Sequence, residues 1–120
     1  MLTRRLASFG YAWEGIRYVM RTQPNWRIHV ALAALAIALG LVLRIPPAEL
    51  ALLAVAIGLV LALECVNTAV ESAVDAQGGS PSFAAKCAKD TAAAGVLVGA
   101  VTAVMVAIIV FVPRLLALTS

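Results

Sequence analysis

A chain of 120 residues has room for one domain. It is 63% hydrophobic and 12% charged, with mean hydropathy +1.02, against about 45–50% and about 25% in ordinary soluble domains, so a water-soluble globule and a disordered chain are both excluded. The formal net charge is +3, but the basic residues lie outside the long apolar runs, which makes them a topology signal rather than a nucleic-acid patch.

The expectation is therefore an all-α membrane protein, one domain over 1–120. At the N-terminus Leu2, Leu6, Phe9, Trp13, Ile16 and Met20 recur every three or four residues, and Arg5, Arg17 and Arg21 fall away from that face. This predicts an amphipathic surface helix at about 2–22, lying among lipid headgroups with Tyr11 and Trp13 as anchors. A soluble helix with no packing partner fits the same pattern. An uncharged run at 28–43, closed by Arg44 and Pro46-Pro47, predicts a first span at about 28–47. A structured-looking segment precedes it, so a cleavable signal peptide is not expected. A second span is expected at about 49–74, carrying Glu64, Asn67 and Glu71, and a third, uncharged, at about 91–112. Between them, 75–90 reads as a Gly/Ser/Pro-rich loop bearing Lys86, Lys89 and Asp90. Gly95 and Gly99 form a small-xxx-small pair, a weak signal of helix association between protomers. Cys65 and Cys87 have neither disulfide nor zinc spacing and are expected as thiols.

Arg4, Arg5, Arg17, Arg21, Arg27, Lys86 and Lys89 lie on one side of the expected spans, with Arg44 and Arg114 on the other. Seven against two places the N-terminus and the 75–90 loop in the cytoplasm.

Glu64, Asn67, Glu71 and Asp75 fall within about 80° of arc on one stripe of the second helix. Glu64 lies roughly 21 Å along from Leu50, still inside a ~30 Å hydrocarbon core. Ionisable groups at that depth are costly and mark function by default. Glu64, desolvated, suits a general base. Glu71, shallower, suits a hard divalent cation such as Mg²⁺, with Asn67 orienting either neighbour and the lysines near a bound phosphate. A polar seam between helices, a non-enzymatic scaffold and a proton or cation path are the other uses of such a stripe. Lipid exposure of Glu64 would be costly, so a homo-oligomer is expected to cover it. No P-loop or kinase Gly-rich signature occurs, and His29 is read as an interfacial hydrogen-bonding residue rather than a metal ligand.

The segment Glu64-Cys65-Val66-Asn67-Thr68-Ala69-Val70-Glu71-Ser72-Ala73-Val74-Asp75 resembles the E-x-x-N-[ST]-[SA]-[LIV]-E-x-x-[VA]-D signature of the prokaryotic diacylglycerol kinase family. Ala88-Lys89-Asp90 is similar to its second motif, and Tyr11-Ala12-Trp13-x-Gly15 and Asn25-Trp26-Arg27-Ile28-His29 to its N-terminal segments. The resemblance covers essentially the whole chain. It implies a homotrimeric integral-membrane kinase of a bacterial inner membrane, transferring the ATP γ-phosphate to a lipid hydroxyl with Mg²⁺. By resemblance Glu64 accepts the hydroxyl proton and Glu71 ligates magnesium and touches ATP. Arg4, Tyr11, Lys89 and Asp90 match nucleotide-contacting positions, as does the stretch from Ser80 to Ser82. Asn67 and Asp75 support the site, while Trp13, Arg27 and Ala93 fall at lipid-substrate positions. The family's second metal carboxylate is replaced by Gln23 here. Either its amide oxygen contributes, or water and ATP phosphates complete the shell. The segment from Asn25 to His29 looks more like the undecaprenol branch than the diacylglycerol branch, which tends to carry Glu in place of His29.

Overall fold

The computed structural model describes residues 2–119, with side chains from residue 7 onward. The described residues form four helices: α1 (Leu2–Thr22), α2 (Pro24–Val42), α3 (Pro47–Asp75) and α4 (Phe83–Thr119). The last three are each long and apolar enough to cross a membrane. Helices α3 and α4 share the most extensive contact, α2 packs on α3, and α1 lies more lightly on α2 and α3.

Proline and glycine set the boundaries. Gln23 is extended, with φ −110° and ψ 105°, and Pro24 opens α2 at its first position, where a missing N–H costs nothing. The first apolar run is thus entered four residues earlier than hydropathy alone suggests. It also ends sooner, because the N–H of Ile45 closes back on Gly40 O at 3.0 Å and that of Arg44 on Leu41 O at 3.2 Å. This is a Schellman cap, and it requires a left-handed residue, here Arg44 at φ 50°. Ile45 then folds against Gly40, where an added Cβ would meet Ile45 Cδ1 at 3.0 Å.

After α3, Gly78 (φ 67°) and Gly79 (φ 82°) take the positive φ that other residues avoid. The Ser82 hydroxyl then accepts the Ala85 N–H at 3.0 Å, an N-cap that starts α4 at Phe83. Lys86, Lys89 and Asp90 consequently sit on the first turns of α4, not in a loop as the composition implied. The uncharged run 91–112 is the middle of a helix that continues through Pro113.

The buried core is small. Ile45, Leu53, Val110 and Phe111 form its main cluster at the end of the bundle near the α2–α3 turn. Leu35, Val55, Leu97, Val98, Ile109 and Leu116 remain exposed, an apolar exterior suited to lipid rather than water. Gly99 is buried against α3, where an added Cβ would lie 2.7 Å from Leu63 Cδ1. The Gly95/Gly99 face therefore serves α3–α4 packing within the protomer.

Candidate active site

Among the described residues three polar ones are buried, and all lie on α3: Glu64, Asn67 and Thr68. Thr68 is accounted for locally, its hydroxyl donating to Glu64 O at 2.9 Å. Glu64 is only 2% exposed. Its Oε1 lies 3.2 Å from Nε2 of His29, yet off the line of a hydrogen bond, so that oxygen is buried without one. Leaving a carboxylate oxygen in that state is costly, and such groups are kept where function needs them.

This position corrects the reasoning that neighbours must cover Glu64. One protomer already encloses it, because α2 folds across α3 at His29. It also moves His29 from a generic interfacial residue to the side chain facing Glu64. Spacing along the chain carried no sign of that contact, since the two residues belong to different helices and meet only on packing.

One turn beyond, Asn67 Nδ2 donates to Glu71 Oε1 at 3.2 Å, and Gln23 Nε2 donates to Glu71 Oε2 at 3.4 Å. Gln23 reaches this point because it caps α2 beside the α3 stripe. Glu71 is thus held between two neutral amides, and no cationic side chain among those described pairs with it. Asn67 Oδ1 is buried and has no hydrogen-bond partner. A partly buried, uncompensated carboxylate beside an orphaned amide oxygen is a hard-oxygen donor set, which suits Mg²⁺ held by one or two carboxylates and substrate phosphates. Turning either amide over would present its oxygen instead of its nitrogen.

The flanking residues divide into those the fold brings to this stripe and those it employs elsewhere. Lys89 Nζ meets Asp75 Oδ1 at 2.8 Å, tying the start of α4 to the end of α3. Lys86 pairs with Asp90 one turn along α4. Ser82 is engaged as the α4 cap, and Ser80 is exposed in the preceding turn. Arg27 reaches back to α1, donating from Nε to Met20 O at 3.0 Å and from Nη2 to Arg21 O at 3.2 Å. It satisfies carbonyls that the end of α1 would otherwise leave open. Trp26 turns into the protein, while Tyr11, Trp13 and Ala93 are exposed. Arg4 was assigned to the nucleotide, but its side chain lies outside the described residues.

Helix α1 faces α3 through Ala12, Gly15, Ile16 and Val19, opposite Cys65, Thr68 and Ser72. Val19 is buried, whereas Phe9, Trp13 and Met20, on the stripe read as apolar, stay exposed. An apolar cleft of about 340 Å³ runs between α2, α3 and α4, bordered by Leu32, Ala36, Val60 and Ala103 and ending at His29.

A family model described as prokaryotic diacylglycerol kinase matches residues 10–111. A protein named diacylglycerol kinase from Synechocystis sp. (strain ATCC 27184 / PCC 6803 / Kazusa) is 43% identical over 114 residues, spanning 94% of this chain and 65% of that protein. This chain thus spans just under two thirds of that relative's length. A protein named undecaprenol kinase from Bacillus subtilis (strain 168) is 34% identical over 114 residues, spanning 95% of this chain and 93% of that protein.

Proposed function

The chain belongs to the prokaryotic diacylglycerol kinase family, and on that premise we propose that it is an ATP- and Mg²⁺-dependent lipid kinase, phosphorylating the hydroxyl of a membrane lipid alcohol. The observation that carries the reading is the buried carboxylate of Glu64, 3.2 Å from His29 at the end of an apolar cleft. A lipid chain lying in that cleft would bring its hydroxyl to His29, beside Glu64, without leaving an apolar environment.

In this reading Glu64 accepts the hydroxyl proton as the lipid oxygen attacks the γ-phosphorus and the bond to the β-phosphate oxygen breaks. Glu71 holds Mg²⁺, with Gln23 or Asn67 contributing an amide oxygen, and the cation when bound neutralises phosphate charge. The Asp75–Lys89 pair ties the start of α4 to the end of α3, and by resemblance Lys89, Asp90, Tyr11, Ser80, Ser82 and Arg4 contact the nucleotide. Positioning and charge neutralisation supply most of the catalysis. Trp13, Arg27 and Ala93 face the lipid, and α1 rests at the headgroup level with Phe9, Trp13 and Met20 outward. The charge asymmetry of the connecting segments supports a cytoplasmic N-terminus and site in a bacterial inner membrane. The assembly is a homotrimer by resemblance, with native mass spectrometry in detergent as its check.

Undecaprenol is the favoured lipid over diacylglycerol, on the strength of the segment from Asn25 to His29. The two lipids differ mainly in their chains, so the preference should appear in kcat/KM through remote contacts. Purified protein in mixed micelles, given radiolabelled ATP and a panel of lipid alcohols, tests both levels. Label on undecaprenol with the higher kcat/KM supports the full reading. A higher value for diacylglycerol removes the preference and leaves a diacylglycerol kinase. Label on no lipid removes the kinase reading in favour of a scaffold or small ion carrier.

A further inference from the structure

Whatever proton Glu64 accepts must leave before the next turnover, and the structure restricts how. Glu64 is 2% exposed, so water does not reach it freely. Among the described residues the side chain paired with it is His29, with Nε2 at 3.2 Å from Oε1. The His29 side chain is 24% exposed, against 3% for that of Glu64, so the imidazole is the accessible member of the pair. On α3 the neighbouring Cys65 thiol is near enough to feel the Glu64 charge, but a neutral thiol offers no basic site for the proton. Asn67 is an amide whose Nδ2 is committed to Glu71, and Thr68 donates its hydroxyl to the backbone. On α2, Arg27 is turned away to cap α1, so no other charged group of that helix stands between His29 and Glu64.

We propose that His29 is the proton relay of the Glu64 base, resting on the lipid-kinase reading above. The proton balance closes without another reactant. The lipid O–H proton passes to the Glu64 carboxylate as the O–P bond forms. It moves from Glu64 to Nε2 of His29 in its neutral Nδ1–H form, giving an imidazolium; the Nδ1 proton departs to water, and exchange with water then returns the ring from its Nε2–H to its Nδ1–H form, restoring carboxylate and neutral imidazole. Imidazole suits this task because its two nitrogens take up and release protons at opposite edges near neutral pH. At 3.2 Å the pair lies off the hydrogen-bond line, and a small rotation of the imidazole would align it for transfer, as catalytic hydrogen bonds tighten once substrate is bound.

The test separates relaying from holding. His29→Gln places an amide nitrogen where Nε2 lies and keeps a donor to Glu64, but an amide cannot carry the proton onward. His29→Ala opens space at the end of the apolar cleft for free imidazole. With mixed-micelle lipid phosphorylation as the readout, His29→Gln is expected to lose about tenfold or more in kcat with the KM for MgATP unchanged. His29→Ala should regain turnover in proportion to added imidazole, which also certifies that the variant is folded. Full kcat in His29→Gln, or a His29→Ala protein that binds MgATP normally yet ignores imidazole, overturns the relay. No lipid labelling by the unsubstituted chain would instead remove the kinase reading, and the relay with it.

Discussion

The two ends of α3 each carry a partly or wholly buried glutamate, and they treat it differently. Near the α2–α3 turn, Glu49 faces Arg114, with Nη2 donating to Oε1 at 3.0 Å and Nη1 lying 2.8 Å from Oε2. The same guanidinium donates to Val110 O at 2.7 Å. Charge is matched by charge, and the pair clasps the start of α3 to the end of α4. At the other end Glu64 and Glu71 meet one imidazole and two neutral amides, and two oxygens, Glu64 Oε1 and Asn67 Oδ1, are left buried without hydrogen bonds. One helix thus contains a carboxylate matched by a guanidinium and carboxylates that face no lysine or arginine, although Glu49 Oε2, like Glu64 Oε1, makes no hydrogen bond of its own. The second arrangement is tolerated when substrate and cation complete it, so the missing counter-charge, rather than the presence of carboxylates, marks the candidate site.

Breaking the deficient end should act on function first. Glu71→Gln should weaken MgATP, raising its KM by about tenfold or more while leaving thermal stability close to unchanged. Isothermal titration with MgATP and a melting curve on the same protein check both halves. Gln23→Glu sharpens the point. Without Mg²⁺ it sets a second carboxylate against Glu71 and should lower the melting temperature, and with Mg²⁺ it should tighten nucleotide binding.

Breaking the matched end should do the reverse. Arg114→Leu leaves Glu49 uncompensated and should cost about 1–3 kcal/mol, with kcat retained in the surviving folded protein. The double variant Glu49→Leu/Arg114→Leu should recover most of that loss in denaturant-induced unfolding. A smaller effect is expected at Gly99→Ala, about 1 kcal/mol, because the displaced neighbour is the flexible end of Leu63. The smallest belongs to Arg44→Gly, which relieves a left-handed residue and should stabilise by less than about 1 kcal/mol.

How far these ends were legible in the sequence follows from what each depends on. The three apolar runs and the single stripe of Glu64, Asn67, Glu71 and Asp75 are properties of one helix at a time, so hydropathy and a 100° step suffice for them. Gln23 meeting Glu71, His29 meeting Glu64 and Arg114 meeting Glu49 are encounters between helices, for which spacing offers no rule. The α4 start was hidden by Gly78, Gly79 and Pro81, which read as loop, although Ser82 three residues before Ala85 was an available N-cap signal. The face of α1 that packs on α3 is a further encounter that the apolar stripe does not reveal. Large apolar residues mark a lipid-facing stripe as readily as a core-facing one, and here the packed side uses Ala12, Gly15 and Val19 instead. The small Gly99 likewise signalled close approach correctly, but its partner is α3 of the same chain.

The central claim is that Glu64 serves the chemical step and not the fold. The most direct measurement is the lipid-phosphorylation kcat of Glu64→Gln beside that of the unsubstituted chain, with MgATP affinity and melting temperature recorded on the same samples. The kcat of Glu64→Gln should fall on the order of a hundredfold or more, with MgATP affinity held and the melting temperature unchanged or raised as a buried charge is removed. Turnover at the unsubstituted rate, or a loss that follows MgATP affinity or unfolding alone, would contradict the claim.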